Sequence, residues 1–110
     1  APTLELLRRP DRPTALFCYN DQLAVKMLDA LRQAGFTVPG DVSVVGFDDS
    51  PLATATEVKL TTLTHPKEEL GMRAAELLLD LVERPQAEWE DIVYEPKLVV
   101  RDSTAAPPSP

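Results

Sequence analysis

Apolar positions change their period several times along this chain. Thr14-Ala15-Leu16-Phe17-Cys18-Tyr19 is a short run with no polar alternation, the pattern of a strand covered on both faces, as in a parallel sheet. Leu23, Ala24, Met27, Leu28, Leu31 and Ala34 then recur at three- and four-residue spacing, one face of an amphipathic helix. Asn20 stands at its N-cap and Asp21 at the positive end of its dipole, while Gly35 stands where a left-handed residue closes a helix. Val38-Pro39-Gly40-Asp41 is a turn, and Val42 to Phe47 is a second buried strand ending in Gly46-Phe47-Asp48-Asp49-Ser50. Ahead of all this, Leu4 to Arg9 reads as the end of a helix that begins before this chain, broken by Pro10-Asp11-Arg12-Pro13.

Strand, helix and strand at this spacing make a right-handed βαβ unit with parallel strands. Functional groups of such units gather at the carboxyl ends of the strands, so Asn20 and Asp48 are expected to face one crevice. Beyond a polar stretch, Leu60-Thr61-Thr62-Leu63-Thr64 predicts a third strand, and a helix follows from Pro66 at its first position to Arg84-Pro85. Two apolar stripes on that helix (Leu70, Ala74, Leu77, Leu78 and Leu81, then Ala75, Leu79 and Val82) predict burial on more than one side. Ile92 to Val100 predicts a strand bent at Pro96. The domain proper covers residues 1–104, and Ala105 to Pro110 is a proline-rich tail expected to be disordered.

Composition removes several classes. The 110 residues carry 11 Lys and Arg against 18 Asp and Glu, a net charge of -7 that repels phosphate backbones, so this segment is not expected to bind nucleic acid itself. No charge-free apolar run is long enough to span a membrane, and no basic, apolar-cored signal peptide opens the chain. One cysteine and one histidine exclude an internal disulfide and a Cys/His zinc site. Neither G-x-G-x-x-G nor a phosphate-binding G-K-[ST] loop occurs, and no cofactor is expected.

The chemistry-bearing residues are few. Asn20 is either a helix cap worth about 1 kcal/mol or a ligand-binding amide; the two are compatible, because a cap uses the oxygen and leaves the NH2. Of Asp48 and Asp49, one carboxylate can enter the crevice while the other orders the following loop, the alternative being an acidic turn. An ionised carboxylate accepts two hydrogen bonds from neighbouring hydroxyls, as a sugar requires. Phe17, Tyr19 and Phe47 are core by default, though Tyr19 could stack on a sugar ring. His65, the single histidine, stands at a strand's carboxyl end and reads as a cap or linker residue; as a catalytic base it would need a nucleophile and an orienting group. No G-x-S-x-G is present and Cys18 lies in an apolar run, so catalysis is not expected. Asp48 and Asp49 could in principle hold Mg2+, but only Asp21 could join them, so no metal site is expected.

Taken in order, Pro13 to Ala15, Asn20-Asp21-Gln22-Leu23-Ala24, Val38-Pro39-Gly40-Asp41-Val42-Ser43-Val44-Val45-Gly46-Phe47-Asp48-Asp49 and Leu60-Thr61-Thr62 resemble the C-terminal part of the effector-binding body of LacI/GalR-type transcriptional repressors. Cys18 to Asp21 and Glu57 to Gly71 look like the arabinose-responsive members, which join such a body to a GntR-type winged-helix head. The resemblance implies an α/β, periplasmic-binding-protein-like (type I) parallel sheet with flanking helices, of which this is the C-terminal portion. It implies a sugar effector contacted by Asn20, Asp48 and His65. It also implies a cytoplasmic homodimer, formed through the helix carrying Val25 and Leu28 and through the loop after Asp49, with operator DNA bound by a head outside this segment. The family layout sends the chain across a hinge near Leu60 to Thr64 and back near Tyr94 to Leu98.

Two other classes share parts of this pattern: a secreted sugar-binding protein of a transporter, and an enzyme using Asp48 and Asp49 with Mg2+. A winged helix upstream separates the first from a repressor, and metal titration separates the second. In that layout the helix from Pro66 to Glu83 belongs to the other lobe and this piece holds only part of the cleft wall, so the 110 residues alone are expected to expose apolar surface and to bind sugar weakly or not at all. Tight arabinose binding to them in calorimetry contradicts this layout.

Overall fold

The computed structural model describes residues 2–109, so Ala1 and Pro110, the ends of the expected domain and tail, lie outside it. The elements are α1 (Pro2–Leu7), β1 (Ala15–Phe17), α2 (Asp21–Gln33), β2 (Ser43–Val45), a 3-10 turn (Pro51–Thr54), β3 (Thr62–Thr64), α3 (Lys67–Glu83) and β4 (Lys97–Val99). They form two compact units: residues up to Thr64 with those from Lys97 onward, and His65–Pro96. The chain thus leaves the first unit after Thr64 and re-enters it at Lys97, in the stretches where the resemblance puts the crossings.

In the first unit the expected βαβ unit is present. β1 and β2 pair in parallel, with Leu16 opposite Val44, and Val45 makes a further parallel bridge to Thr61. Cys18 donates to Val45 (2.8 Å) and Gly46 to Thr61 (2.9 Å), carrying the ladder past the strand ends. β3 and β4 pair antiparallel, Thr62 opposite Val99 and Thr64 opposite Lys97. α2 begins at its Asn20 cap and closes at Ala34, with Gly35 at φ +89 supplying the left-handed residue.

Leu7, Ala24, Leu31, Val42, Val44, Ala53 and Leu60 form the core, with Leu4, Leu16, Cys18, Met27, Leu28, Phe36 and Val38 packed around it. On α2 the buried line is Ala24 and Leu31, and Leu23 lies outside it. β1 departs from its expected double burial: Leu16 packs inward, while Ala15 and Phe17 face outward. An unalternating apolar run marks what a strand could bury, and among the described residues nothing covers that second face. Asp41 closes the turn before β2. The backbone amide of Thr37 (2.8 Å) and its hydroxyl (2.9 Å) donate to the Asp41 carboxylate and hold it below the usual carboxylate range.

The return after β4 is stapled by Ser103. Its hydroxyl donates to the Val44 carbonyl and accepts from the Thr61 amide (2.8 Å), and its carbonyl accepts from the Val44 amide (2.9 Å). Ala105, assigned by sequence to the tail, is tied on both sides to the Ser43 hydroxyl, its amide at 3.0 Å and its carbonyl at 3.2 Å.

The second unit is α3 and the segment after it. The two-sided burial expected of α3 is not found: it contains no buried residue, and Met72, Leu78, Leu79, Leu81 and Val82 are exposed. A single helix with one irregular segment has no sheet against which to lay its stripes. The strand expected over Ile92–Val100 shrinks to β4, since Pro96 cannot donate to a ladder. The guanidinium of Arg84 stands 5.4 Å over the Trp89 ring.

Candidate functional site

Phe17, Tyr19, Asn20, Phe47 and Asp48 line one concavity of about 580 Å³. All five lie at or just beyond the carboxyl ends of β1 and β2, the edge to which a parallel sheet delivers its functional groups. Asn20 and Asp48, from different strands, are therefore brought together. The Asn20 side-chain oxygen accepts from the Leu23 amide at 2.9 Å, so the cap occupies the acceptor and leaves the two N–H donors for other partners. Tyr19 is 81% exposed and Phe17 68%, so neither is the core residue its type suggests; Phe47 is half-buried.

The two acidic residues divide their work. Asp49 forms an ion pair with Arg101 at 2.8 Å, whose guanidinium also donates to the Leu60 carbonyl at 3.0 Å. Asp48 lines the concavity. Both have left-handed backbones, at φ 116 for Asp48 and φ 51 for Asp49, a conformation that costs a non-glycine residue on the order of 1–3 kcal/mol. Such strain collects where a side chain must be aimed against local preference.

Under this turn lies a residue whose role is not visible in the sequence. Asp21 is 1% exposed. Its carboxylate accepts from the Ser50 amide at 2.7 Å and the Thr62 hydroxyl at 2.6 Å, while its own amide donates to the Phe47 carbonyl at 2.9 Å. The start of α2 is thereby pinned to both flanks of Asp48-Asp49 and to β3. Gly46 makes room for it: a Cβ there would overlap the Asp21 carboxylate and lie 2.9 Å from Leu60 Cδ2. An acid after an N-cap and a glycine at a strand end were the only signals available.

Cys18 is half-buried, and burial raises its thiol above the ordinary value, which keeps it protonated and unreactive. No group of three or more His, Cys, Asp or Glu suited to a metal occurs among the described residues. His65 begins the second unit, and the concavity's lining does not include it. Val25 and Leu28 are half-buried and border a different groove of about 570 Å³, whose far wall is Thr56, Glu57 and Val58. No helix among the described residues is long and apolar enough to cross a membrane.

A helix-flanked parallel sheet whose carboxyl edge holds aromatic faces, a carboxamide and a carboxylate has the make-up of an α/β ligand-binding domain. Consistent with that, the periplasmic binding protein-like domain family matches residues 2–104, and the chain belongs to this family. It is 54% identical over 103 residues to the arabinose metabolism transcriptional repressor of Geobacillus stearothermophilus, covering 91% of this chain and 28% of that protein. Among solved structures it is similar to the transcriptional regulator CelR–cellobiose complex (39% identity, 92% of this chain and 31% of that one, TM-score 0.82). It is also similar to the lac repressor dimer bound to operator and an anti-inducer (31% identity, 96% and 36%, TM-score 0.80). The chain thus spans under a third of the length of its curated arabinose-repressor relative.

Proposed function

We propose that this chain is the effector-sensing and dimerising part of a sugar-responsive bacterial transcriptional repressor, with arabinose as effector. The observation that carries it is the meeting of Asn20 and Asp48 on one concavity with aromatic faces beside them. Asn20 supplies donors and Asp48 an acceptor able to take two hydroxyls, while Tyr19 and Phe17 offer flat faces to the C–H side of a ring. Arabinose in particular is supported by the arabinose repressor relative and by the resemblance of Glu57 to Gly71.

In a protein of its relatives' length, a second lobe closes over the sugar, His65 adds a polar contact, and a head outside this segment holds the operator. A GntR-type winged helix for that head rests on the resemblance alone. The protein works in the cytoplasm as a homodimer, through the groove where Val25 and Leu28 of α2 meet the loop after Asp49. Sugar acts by population shift: an effector that prefers one arrangement about 100-fold moves the equilibrium by roughly 2.7 kcal/mol, enough to release DNA.

Calorimetry of the full-length protein with L-arabinose, D-ribose and D-xylose tests this. One pentose is expected to bind once per subunit, and Asn20→Ala to weaken it about 10-fold, the loss of a ligand hydrogen bond of about 1.4 kcal/mol. No heat from any pentose, or undiminished affinity in Asn20→Ala, overturns the assignment.

A further inference from the structure

We propose that Thr62 and Arg101 are positioning residues of this site, holding the Asp48-Asp49 turn in its left-handed backbone so that one carboxylate meets the ligand. The inference rests on the sugar-sensing reading and adds to it how the acceptor is aimed.

Two consecutive left-handed non-glycine residues persist only where their surroundings dictate them. Here three successive amides are each taken by a separate partner. The Asp48 amide donates to the Leu63 carbonyl at 2.8 Å, the Asp49 amide to the Thr62 hydroxyl at 3.3 Å, and the Ser50 amide to the Asp21 carboxylate at 2.7 Å. The first bond is ordinary ladder continuation. The second depends on a side chain in a particular state: the Thr62 hydroxyl gives its single proton to Asp21 at 2.6 Å, which leaves its lone pairs for the Asp49 amide. The hydroxyl thus donates to the one and accepts from the other, which valine at this position cannot do.

Arg101 completes the turn from the other side. It takes the Asp49 carboxylate at 2.8 Å, while its backbone amide donates to the Thr61 hydroxyl at 2.9 Å and its guanidinium to the Leu60 carbonyl at 3.0 Å. The Arg101 and Asp49 side chains are only 20% and 25% exposed, so this pair is shielded, unlike an ordinary surface bridge. Thr62 is fully buried and neither it nor Arg101 lines the concavity, so any effect they have on ligand is indirect, through the turn and the Asp21 carboxylate beneath it.

The test is calorimetry of the full-length protein with whichever of L-arabinose, D-ribose and D-xylose the parent binds best. Thr62→Val keeps shape and removes the hydroxyl, and is expected to weaken binding about 10-fold; Thr62→Ser restores it to within about 3-fold. Arg101→Gln is expected to lose about 5-fold. Parent-like affinity in Thr62→Val or Arg101→Gln, alongside a defective Asp48→Ala, overturns the inference and leaves the sugar site standing. A Thr62→Ser variant as weak as Thr62→Val overturns it too, since packing rather than the hydroxyl then matters. If Thr62→Val does not fold, Arg101→Gln and Thr62→Ser decide. If Asp48→Ala itself binds like the parent, or no pentose binds, the sugar reading and this inference fall together.

Discussion

Asp48→Ala in the full-length protein is expected to lose sugar affinity about 100-fold, and with it effector control of operator binding. Removing a charged hydrogen-bond acceptor costs about 1.5–3 kcal/mol, and about 2.7 kcal/mol is 100-fold, so the loss exceeds the Asn20→Ala effect by about tenfold. Asp48→Gly separates aim from strain. Its φ of 116 is unstrained for glycine, so this variant is expected to lose the sugar equally while unfolding at higher urea, a gain of about 1 kcal/mol. Calorimetry and urea titration read the two effects independently. Retained affinity in either variant means that this carboxylate does not touch the effector.

Asp21→Ala is expected to destabilise the first unit by about 3 kcal/mol in urea-induced unfolding. The carboxylate is 1% exposed and is the acceptor for the Ser50 amide and the Thr62 hydroxyl, so truncation leaves one buried and one part-buried donor unpaired, at about 1–3 kcal/mol each where water does not reach them. Asp21→Asn keeps one acceptor oxygen and is expected to lose about half as much. A loss under 1 kcal/mol in Asp21→Ala shows that water enters and satisfies those donors, and that the clasp beneath the turn is not what holds it.

Much of the first unit is legible in the chain because its signals are local. The apolar runs around Leu16 and Val44, the Asn20 cap and the Gly35 terminator are separately sufficient to place β1, α2 and β2. The convergence of Asn20 and Asp48 follows from strand direction alone. Long-range polar pairing is not legible, since nothing near Ser103 or Arg101 announces partners some forty residues or more away, at Thr61, Val44 and Asp49. Burial is legible only as capacity. The stripes on α3 and the outward side of β1 state what could be covered, and Phe17 and Leu78 remain exposed where the described residues offer no cover.

The antiparallel ribbon of β3 and β4 carries a consequence for how such chains diversify. Thr64 and Lys97 sit across from one another, so everything from His65 to Pro96 departs and comes home through a single doorway. Closing a longer excursion costs only about 0.6 kcal/mol for each doubling of its length. The detour can therefore be lengthened, shortened or exchanged as a cassette while the strands that frame the doorway stay in register.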